Sequence, residues 1–242
     1  MIQKHPARSI RYYNYFLFDL DRTLWDFDTN AKNNITGLLH LYNLPLKESE
    51  SFYNDYHTIN QKLWADYERG LLEKERLKSE RFHRTLLKYG IDNPSLAEQF
   101  GREYLERMPL QKALMPYALE VLEHLYSMGA DMVIVSNGFK EVQYTKIENS
   151  GIGKFFKSVI ISEEQGVNKP SPLIFRKALS SINGVKEEAI MVGDDFVNDI
   201  EGAMIFGIDQ FFYNYRSLPC DGVPTYNSSD LRDLLSLVTP RQ

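Results

Sequence analysis

The feature that most constrains the fold of this chain is a regular alternation of two kinds of segment in its second half. Short runs rich in β-branched and aromatic residues occupy positions 132–135, 159–161, 189–192 and 210–213. The segments between these runs have the apolar spacing of amphipathic helices. Strands that alternate with helices form βαβ units, in which the strands lie parallel. The sequence therefore predicts an α/β fold with a Rossmann-like, doubly wound parallel sheet.

One more strand is predicted far upstream, at residues 15–20, and a long helical segment separates it from the others. That segment is rich in Leu, Tyr, Glu, Lys and Arg, and its apolar residues recur at helical spacing. It contains no run with the pattern of a strand. We therefore expect an all-helical cap domain, residues 26–109, inserted into a core formed by residues 1–25 and 110–242.

The composition narrows the possible classes of protein. The 242 residues carry a net charge of -5, so there is no basic excess for binding a nucleic-acid polymer. No apolar stretch approaches the ~20 residues that span a membrane. The single cysteine, Cys220, allows no intrachain disulfide and is typical of a cytoplasmic protein. The pattern leaves the oligomeric state open.

Polar residues with complementary chemistry follow several of the predicted strands. Asp19 and Asp21 follow the first strand. The other groups are Ser136-Asn137-Gly138, Lys169, and Gly193-Asp194-Asp195 with Asp199 shortly after. Because ligands of open parallel sheets bind at the carboxyl ends of the strands, we expect these side chains to lie close together.

The carboxylates of this set predict a metal site. Asp19 and Asp21 are two residues apart and project to the same side of an extended backbone. With Asp194 they form a crowded acidic group, whose repulsion would raise the carboxyl pKa values unless a cation were bound. Oxygen ligands of this kind suit Mg²⁺, which also binds substrate phosphate. The neutral donors after the second strand and the positive Lys169 suit a phosphoryl group.

Four motifs resemble, in order and spacing, those of the haloacid dehalogenase superfamily of phosphotransferases. They are Asp19-Leu20-Asp21-Arg22-Thr23, Ser136-Asn137-Gly138, Asn168-Lys169-Pro170, and Gly193-Asp194-Asp195-Phe196-Val197-Asn198-Asp199. Each motif is weak alone, but the combination is specific and covers nearly the whole chain. The resemblance implies a Rossmann-like core with a helical cap inserted after the first strand.

The resemblance also implies roles in the hydrolysis of a small phosphate monoester. Asp19 would be the nucleophile, forming an aspartyl-phosphate, and would also bind Mg²⁺. Asp21 would be the general acid and base, and its backbone carbonyl would bind the metal. Lys169 would link the nucleophile and the phosphate electrostatically. Arg22 stands where relatives often have Asp or Gly, and we expect its side chain to point away from the site.

The remaining motif positions would bind the phosphate and the metal. The run Ser136-Asn137-Gly138 would hold the phosphoryl oxygens. Asp194 would be a metal ligand. Asp195 or Asp199 would support the metal directly or through water, and the sequence leaves the choice between them open.

Other activities stay open at this point. The 2-haloacid dehalogenase branch also attacks with an aspartate but lacks a second aspartate two residues later, so Asp21 favours phosphoryl chemistry. A sugar phosphate phosphatase or a phosphomutase, which shares both aspartates, is an alternative. A non-enzymatic binding protein is disfavoured, because idle relatives typically lack the nucleophile or a metal ligand and every motif position is filled here.

A finer resemblance is to the bacterial pyrimidine 5'-nucleotidase branch. It is carried by residues 21–28, by Gly207-Ile208-Asp209 with Tyr213-Asn214, and by Val223-Pro224-Thr225-Tyr226. It implies a nucleoside 5'-monophosphate as substrate. Five aromatic residues are candidates either for stacking on the base or for the protein core: Trp25, Phe27, Tyr53, Tyr56 and Trp64.

Overall fold

The chain forms two compact units in the computed structural model, which describes residues 3–4, 11–44, 49–219 and 222–238. Cys220 lies outside these ranges. The first unit is Met1–Phe27 with Lys112–Gln242, and the second is Asp28–Gln111. Each unit has its own architecture.

The first unit is built on a seven-stranded sheet. Its strands are β1 (Gln3–Lys4), β2 (Tyr15–Phe18), β3 (Asp131–Ser136), β4 (Ser158–Ile161), β5 (Ala189–Gly193), β6 (Asp209–Tyr213) and β7 (Tyr226–Ser228). They lie in the order β1-β7-β6-β5-β2-β3-β4, and only the pairing of β1 with β7 is antiparallel. The predicted α/β fold with a parallel sheet is confirmed. The sequence did not indicate the short strands β1 and β7.

The second unit contains only helices among its described residues. They are α1 (Phe27–Leu41), which begins one residue earlier, α2 (Ser49–Glu68), α3 (Lys74–Lys88) and α4 (Pro94–Arg107), followed by a 3₁₀ turn at Met108–Leu110. Aromatic side chains form its core, where the rings of Tyr56 and Phe82 stack with centroids 5.0 Å apart. Asn93 caps α4, because its side-chain oxygen accepts a hydrogen bond from the backbone N–H of Leu96 at 3.0 Å.

Five α-helices occur among the described residues of the first unit. They are α5 (Ala118–Ser127), α6 (Lys140–Asn149), α7 (Ser162–Gln165), α8 (Pro172–Ser180) and α9 (Gly202–Phe206). A π-helical turn at Phe196–Glu201 leads directly into α9, where the sequence pattern had indicated a regular helix. Near the end of the chain, Leu231–Leu237 is a 3₁₀ helix. Within the described residues, no helix combines the length and the apolar character that crossing a bilayer requires.

The central strand β2 is held by apolar packing on both of its faces. Leu17 is fully buried in a cluster that includes Ile174 of α8 and Ala203 of α9. Phe16 and Phe18 project to the opposite face, where their rings stack with centroids 6.3 Å apart. Burial of each such large side chain contributes about 1.5–3 kcal/mol to folding. The position at which the chain leaves β2 is therefore firmly fixed.

Candidate active site

Asp19 stands where the chain leaves the central strand. Its backbone N–H donates to the carbonyl of Val192 at 2.9 Å, so the contact with β5 continues one residue past the end of β2. The strand was predicted to reach residue 20 but ends at Phe18. The Asp19 residue is only 8% exposed, so its carboxylate needs partners inside the protein.

Lys169 is the nearest of these partners. Its Nζ donates to Asp19 Oδ1 at 2.6 Å and to the carbonyl oxygen of Val135 at 2.8 Å. It also lies 2.8 Å from Asp199 Oδ1, as an ion pair outside hydrogen-bond geometry. Burial by itself lowers the pKa of Lys169, but the charges of Asp19 and Asp199 outweigh this and raise the pKa above its usual value. Lys169 is therefore a fixed cation between two aspartates.

Asn137 holds the backbone of Lys169 in place. Its Oδ1 accepts from the Lys169 N–H at 2.9 Å, and its Nδ2 donates to the Lys169 carbonyl at 3.1 Å. We expected the side chain of Asn137 to bind phosphoryl oxygens. In this structure the same side chain joins the loop after β3 to the loop that carries Lys169.

Three buried carboxylates come together beside Lys169. Asp19, Asp194 and Asp199 each offer one oxygen, and these oxygens lie within 4.8 Å of one another. Arg216, which follows β6, donates from its Nη2 to Asp194 Oδ2 at 2.6 Å. With Lys169 and Arg216 as the contacting cations, three ionised carboxylates would keep one uncompensated negative charge.

The crowding perturbs all three carboxyl groups. Burial raises the pKa of Asp194 to about 7, and the nearby charge of Asp19 adds to the shift while Arg216 opposes it. Burial likewise raises the pKa of Asp19 and holds that of Asp199 well above its usual range, although Lys169 opposes both shifts. The cluster therefore favours any additional positive charge.

The structure separates the two aspartates that the sequence left as equal candidates for metal support. Asp199 is fully buried in the cluster, and its Oδ2 accepts from the Asp195 N–H at 3.1 Å. Asp195 instead caps the π-helical turn, where its Oδ1 accepts from the N–H groups of Val197 at 3.0 Å and Asn198 at 2.9 Å. Gly193 makes room for this arrangement, because a Cβ there would lie 2.2 Å from Asp199 Oδ2.

The side chain of Asp21 faces a different group of residues. Lys146 Nζ donates to its Oδ1 at 2.6 Å, and Gln143 Nε2 donates to its Oδ2 at 2.8 Å. Both donors belong to α6, where they lie three residues apart and so on the same face. Asp21 is therefore close in sequence to Asp19 of the carboxylate group, but its own carboxylate is hydrogen-bonded to two residues outside that group.

Ser136 and Gly138 shape the end of β3. The Oγ of Ser136 accepts from Gln143 Nε2 at 2.6 Å and from the Gly138 N–H at 3.2 Å. A Cβ at position 138 would lie 2.4 Å from the same Nε2, so any residue other than glycine there would clash with the side chain of Gln143. Ser136 and Asp21 are therefore connected through one amide group.

Three polar residues at the site were missed in the sequence: Gln143, Lys146 and Arg216. Gln143 and Lys146 are buried although they lie on a helix with many polar residues. Only the spacing of three residues between them, shortly after the Ser136 motif, could have drawn attention to them. Arg216 lies in an irregular segment and gave no signal that we can identify.

The remaining sequence candidates are placed as follows. The guanidinium carbon of Arg22 lies 4.4 Å from the ring centroid of Phe27. Trp25 and Tyr56 are fully buried, and Tyr53 is 8% exposed, which makes them core residues. Phe27 and Trp64 are partly exposed.

Comparisons with known proteins give the family. The family model described as haloacid dehalogenase-like hydrolase matches residues 13–207. Pyrimidine 5'-nucleotidase PynA of Streptococcus pneumoniae is 32% identical over 93% of this chain and 94% of its own. Pyrimidine 5'-nucleotidase YjjG of Escherichia coli is 30% identical over 93% of this chain and 98% of its own.

A solved structure agrees with the sequence relatives. The crystal structure of the HAD-hydrolase YfnB from Bacillus subtilis, bound to magnesium, superposes with a TM-score of 0.83 at 28% identity, covering 94% of this chain and 99% of its own. Both resemblances found in the motifs are thereby confirmed. This chain belongs to the haloacid dehalogenase-like hydrolase family of enzymes.

Proposed function

We propose that this enzyme is a Mg²⁺-dependent phosphatase that hydrolyses a small phosphate monoester through an aspartyl-phosphate on Asp19. The observation that carries the proposal is the contact of Lys169 with both Asp19 and Asp199 inside a group of three buried carboxylates. A carboxylate nucleophile beside a fixed cation and a set of hard oxygen ligands are the parts that phosphoryl transfer needs.

The donor set fits a divalent metal ion. Asp19, Asp194 and Asp199 supply three hard oxygens within 4.8 Å of one another, and among the described residues they outnumber the two cationic side chains that contact them, Lys169 and Arg216. In our proposal these three side chains hold Mg²⁺, and the backbone carbonyl of Asp21 is a further ligand. Bound there, Mg²⁺ would neutralise negative charge on the phosphoryl oxygens.

The protein's own residues supply the bond-making steps. In the first step a carboxylate oxygen of Asp19 bonds to phosphorus, the bond from phosphorus to the leaving oxygen breaks, and protonated Asp21 gives its proton to that oxygen. In the second step water attacks phosphorus and Asp21 takes a proton from the water. Inorganic phosphate leaves and the carboxylate of Asp19 is restored. Lys169 stabilises the negative charge on Asp19 and on the phosphoryl group throughout.

We propose a pyrimidine nucleoside 5'-monophosphate as the substrate. The support is the similarity to two pyrimidine 5'-nucleotidases, at 32% and 30% identity, over nearly the whole chain. Trp25, Tyr53 and Tyr56 are core residues, so the aromatic candidate of the first unit for contact with a base is the partly exposed Phe27. A cytoplasmic location belongs to the same proposal and rests on the single cysteine.

Phosphate release from a panel of esters tests the proposal. The panel contains purine and pyrimidine 5'-monophosphates, sugar phosphates and p-nitrophenyl phosphate, each with Mg²⁺ and with Asp19→Asn as the control. We expect selective release from pyrimidine 5'-monophosphates and none above background from the control. Release from sugar phosphates alone would agree with the proposed phosphatase activity but would overturn the proposed nucleotide substrate. Release by Asp19→Asn at the wild-type rate would overturn the nucleophile.

A further inference from the structure

Two polar residues of α6 that the proposed mechanism leaves unused are buried against Asp21. The side chain of Lys146 is 3% exposed, and its Nζ lies 2.6 Å from Asp21 Oδ1. Gln143 is 1% exposed, and its Nε2 lies 2.8 Å from Asp21 Oδ2. Both oxygens of the Asp21 carboxylate are therefore held by donors from one face of one helix.

Lys146 is an unfavourable residue to bury for stability alone. Its Nζ lies 4.3 Å from the ring centroid of the buried Trp25, and this cation–π attraction offsets only part of the cost of burial. Removing an ammonium group from water costs several kcal/mol, and an apolar residue of similar size is often as stabilising as a buried ion pair. A charged group at this position therefore indicates a task at Asp21 beyond packing.

Gln143 is oriented toward Asp21 in spite of a cost. Its Oε1 is buried without a hydrogen-bond partner among the described residues, and such an acceptor costs about 1–3 kcal/mol. The opposite orientation of the amide would remove the hydrogen bond to Asp21, because Oε1 would then face the carboxylate and both groups are acceptors. In the observed orientation Nε2 serves both Asp21 and Ser136. The absence of a side chain at Gly138 makes that orientation sterically possible.

We propose that Lys146 and Gln143 are positioning residues, which fix the Asp21 carboxylate for proton transfer to the leaving-group oxygen. The inference rests on the proposed function and deepens it. Neither residue contacts Asp19 in the structure as described, so attack on phosphorus does not depend on them directly. Small misplacements of a reacting group cost rate steeply, so loss of either contact slows the proton transfer.

The need of the leaving group for a proton provides the test. An alkoxide leaves poorly without a proton, whereas p-nitrophenolate leaves readily without one. The value of kcat/KM includes the steps up to phosphorylation of Asp19, so it reports departure of the leaving group. We would measure it for p-nitrophenyl phosphate and for the alkyl phosphate of the panel that the wild type hydrolyses fastest.

Lys146→Met and Gln143→Met should each lower kcat/KM at least tenfold more for the alkyl ester than for the aryl ester. Lys177→Met is the matched control, because Lys177 of α8 is a partly buried lysine outside the site that is likewise hydrogen-bonded, to Gln165 at 3.0 Å. Lys177→Met should change kcat/KM only slightly, and by the same factor for both esters. Circular dichroism verifies folding, and having two separate variants keeps the test usable if one does not fold.

Two other results would be informative in different ways. Equal losses for both esters in the α6 variants would overturn the positioning role and leave the phosphatase intact. A wild type that hydrolyses no phosphate ester would overturn the proposed function and this inference together.

Discussion

Gly193→Ala is the substitution for which the structure predicts the sharpest effect. A Cβ at this position would lie 2.2 Å from Oδ2, 2.4 Å from Cγ and 2.5 Å from Cβ of Asp199. Carbon atoms in contact are normally about 3.5–4.0 Å apart, so the Asp199 side chain must move by about 1 Å or more. It is held by Lys169 at 2.8 Å and by the Asp195 N–H at 3.1 Å, so the movement breaks both contacts.

The expected loss follows from the overlap. Inserting a methyl group into a packed interior destabilises by about 1–3 kcal/mol. In a protein of this size each kcal/mol lowers the melting temperature by about 2–4 °C. Misplacement of one of three carboxylates should also weaken Mg²⁺ binding. A tenfold weaker affinity removes about 1.4 kcal/mol from the stabilisation by excess Mg²⁺.

Thermal unfolding with and without Mg²⁺ measures both effects in one assay. Gly37→Ala is the matched control, because a Cβ there has nothing within 4 Å. Gly37 lies inside α1, so Gly37→Ala should raise the free energy of unfolding by about 0.5–1 kcal/mol. It should leave unchanged the rise in melting temperature that Mg²⁺ produces. The reasoning is refuted if Gly193→Ala keeps both the melting temperature and the Mg²⁺ increment of the wild type.

Three further predictions follow from the same site. Asp21→Asn should lower kcat/KM for alkyl phosphates by roughly 10²–10⁴, measured by phosphate release, and a loss below tenfold would mean that another group protonates the leaving oxygen. Burial raises the pKa of Asp194 from 3.8 to about 7. The contribution of this group to the free energy of unfolding is therefore fully present below pH 3.8 and is lost as the pH rises through about 7. Urea unfolding of metal-free protein should show this decline, up to about 1.4 kcal/mol per pH unit, and Asp194→Asn should flatten it; parallel curves would contradict the shift. Finally, a chelator should abolish phosphatase activity and excess Mg²⁺ should restore it, whereas full activity in the chelator would exclude the metal site.

The sequence was sufficient for those parts of the fold that depend on local pattern. Apolar runs alternating with helices predict parallel strands, and the carboxyl ends of such strands meet at one edge of the sheet. Asp19, Lys169 and Asp194 could therefore be assigned to one site before the structure was known. Their proximity follows from topology rather than from any detail of packing.

The parts that depend on the rotation of a helix could not be predicted. Lys146 and Gln143 stand among other polar residues of α6, and the pattern does not show which of them face inward. The choice between Asp195 and Asp199 depends on the π-helical turn at Phe196–Glu201, which changes the direction of each side chain. Sequence periodicity assumes a regular helix and cannot reveal that change.

The central position of β2 has a consequence for how the protein is made. Its neighbours β3 and β5 come much later in the chain, so a growing polypeptide carries the apolar run Tyr15–Phe18 without a partner for many seconds, at ~5–20 residues per second. The helical segment of the second unit is completed during this time. A chain interrupted before Asp199 would contain Asp19 without the complete group of three carboxylates, and one interrupted before β3 would expose the unpaired strand β2 to aggregation. Synthesis of this enzyme therefore places its proposed catalytic centre among the last features to form.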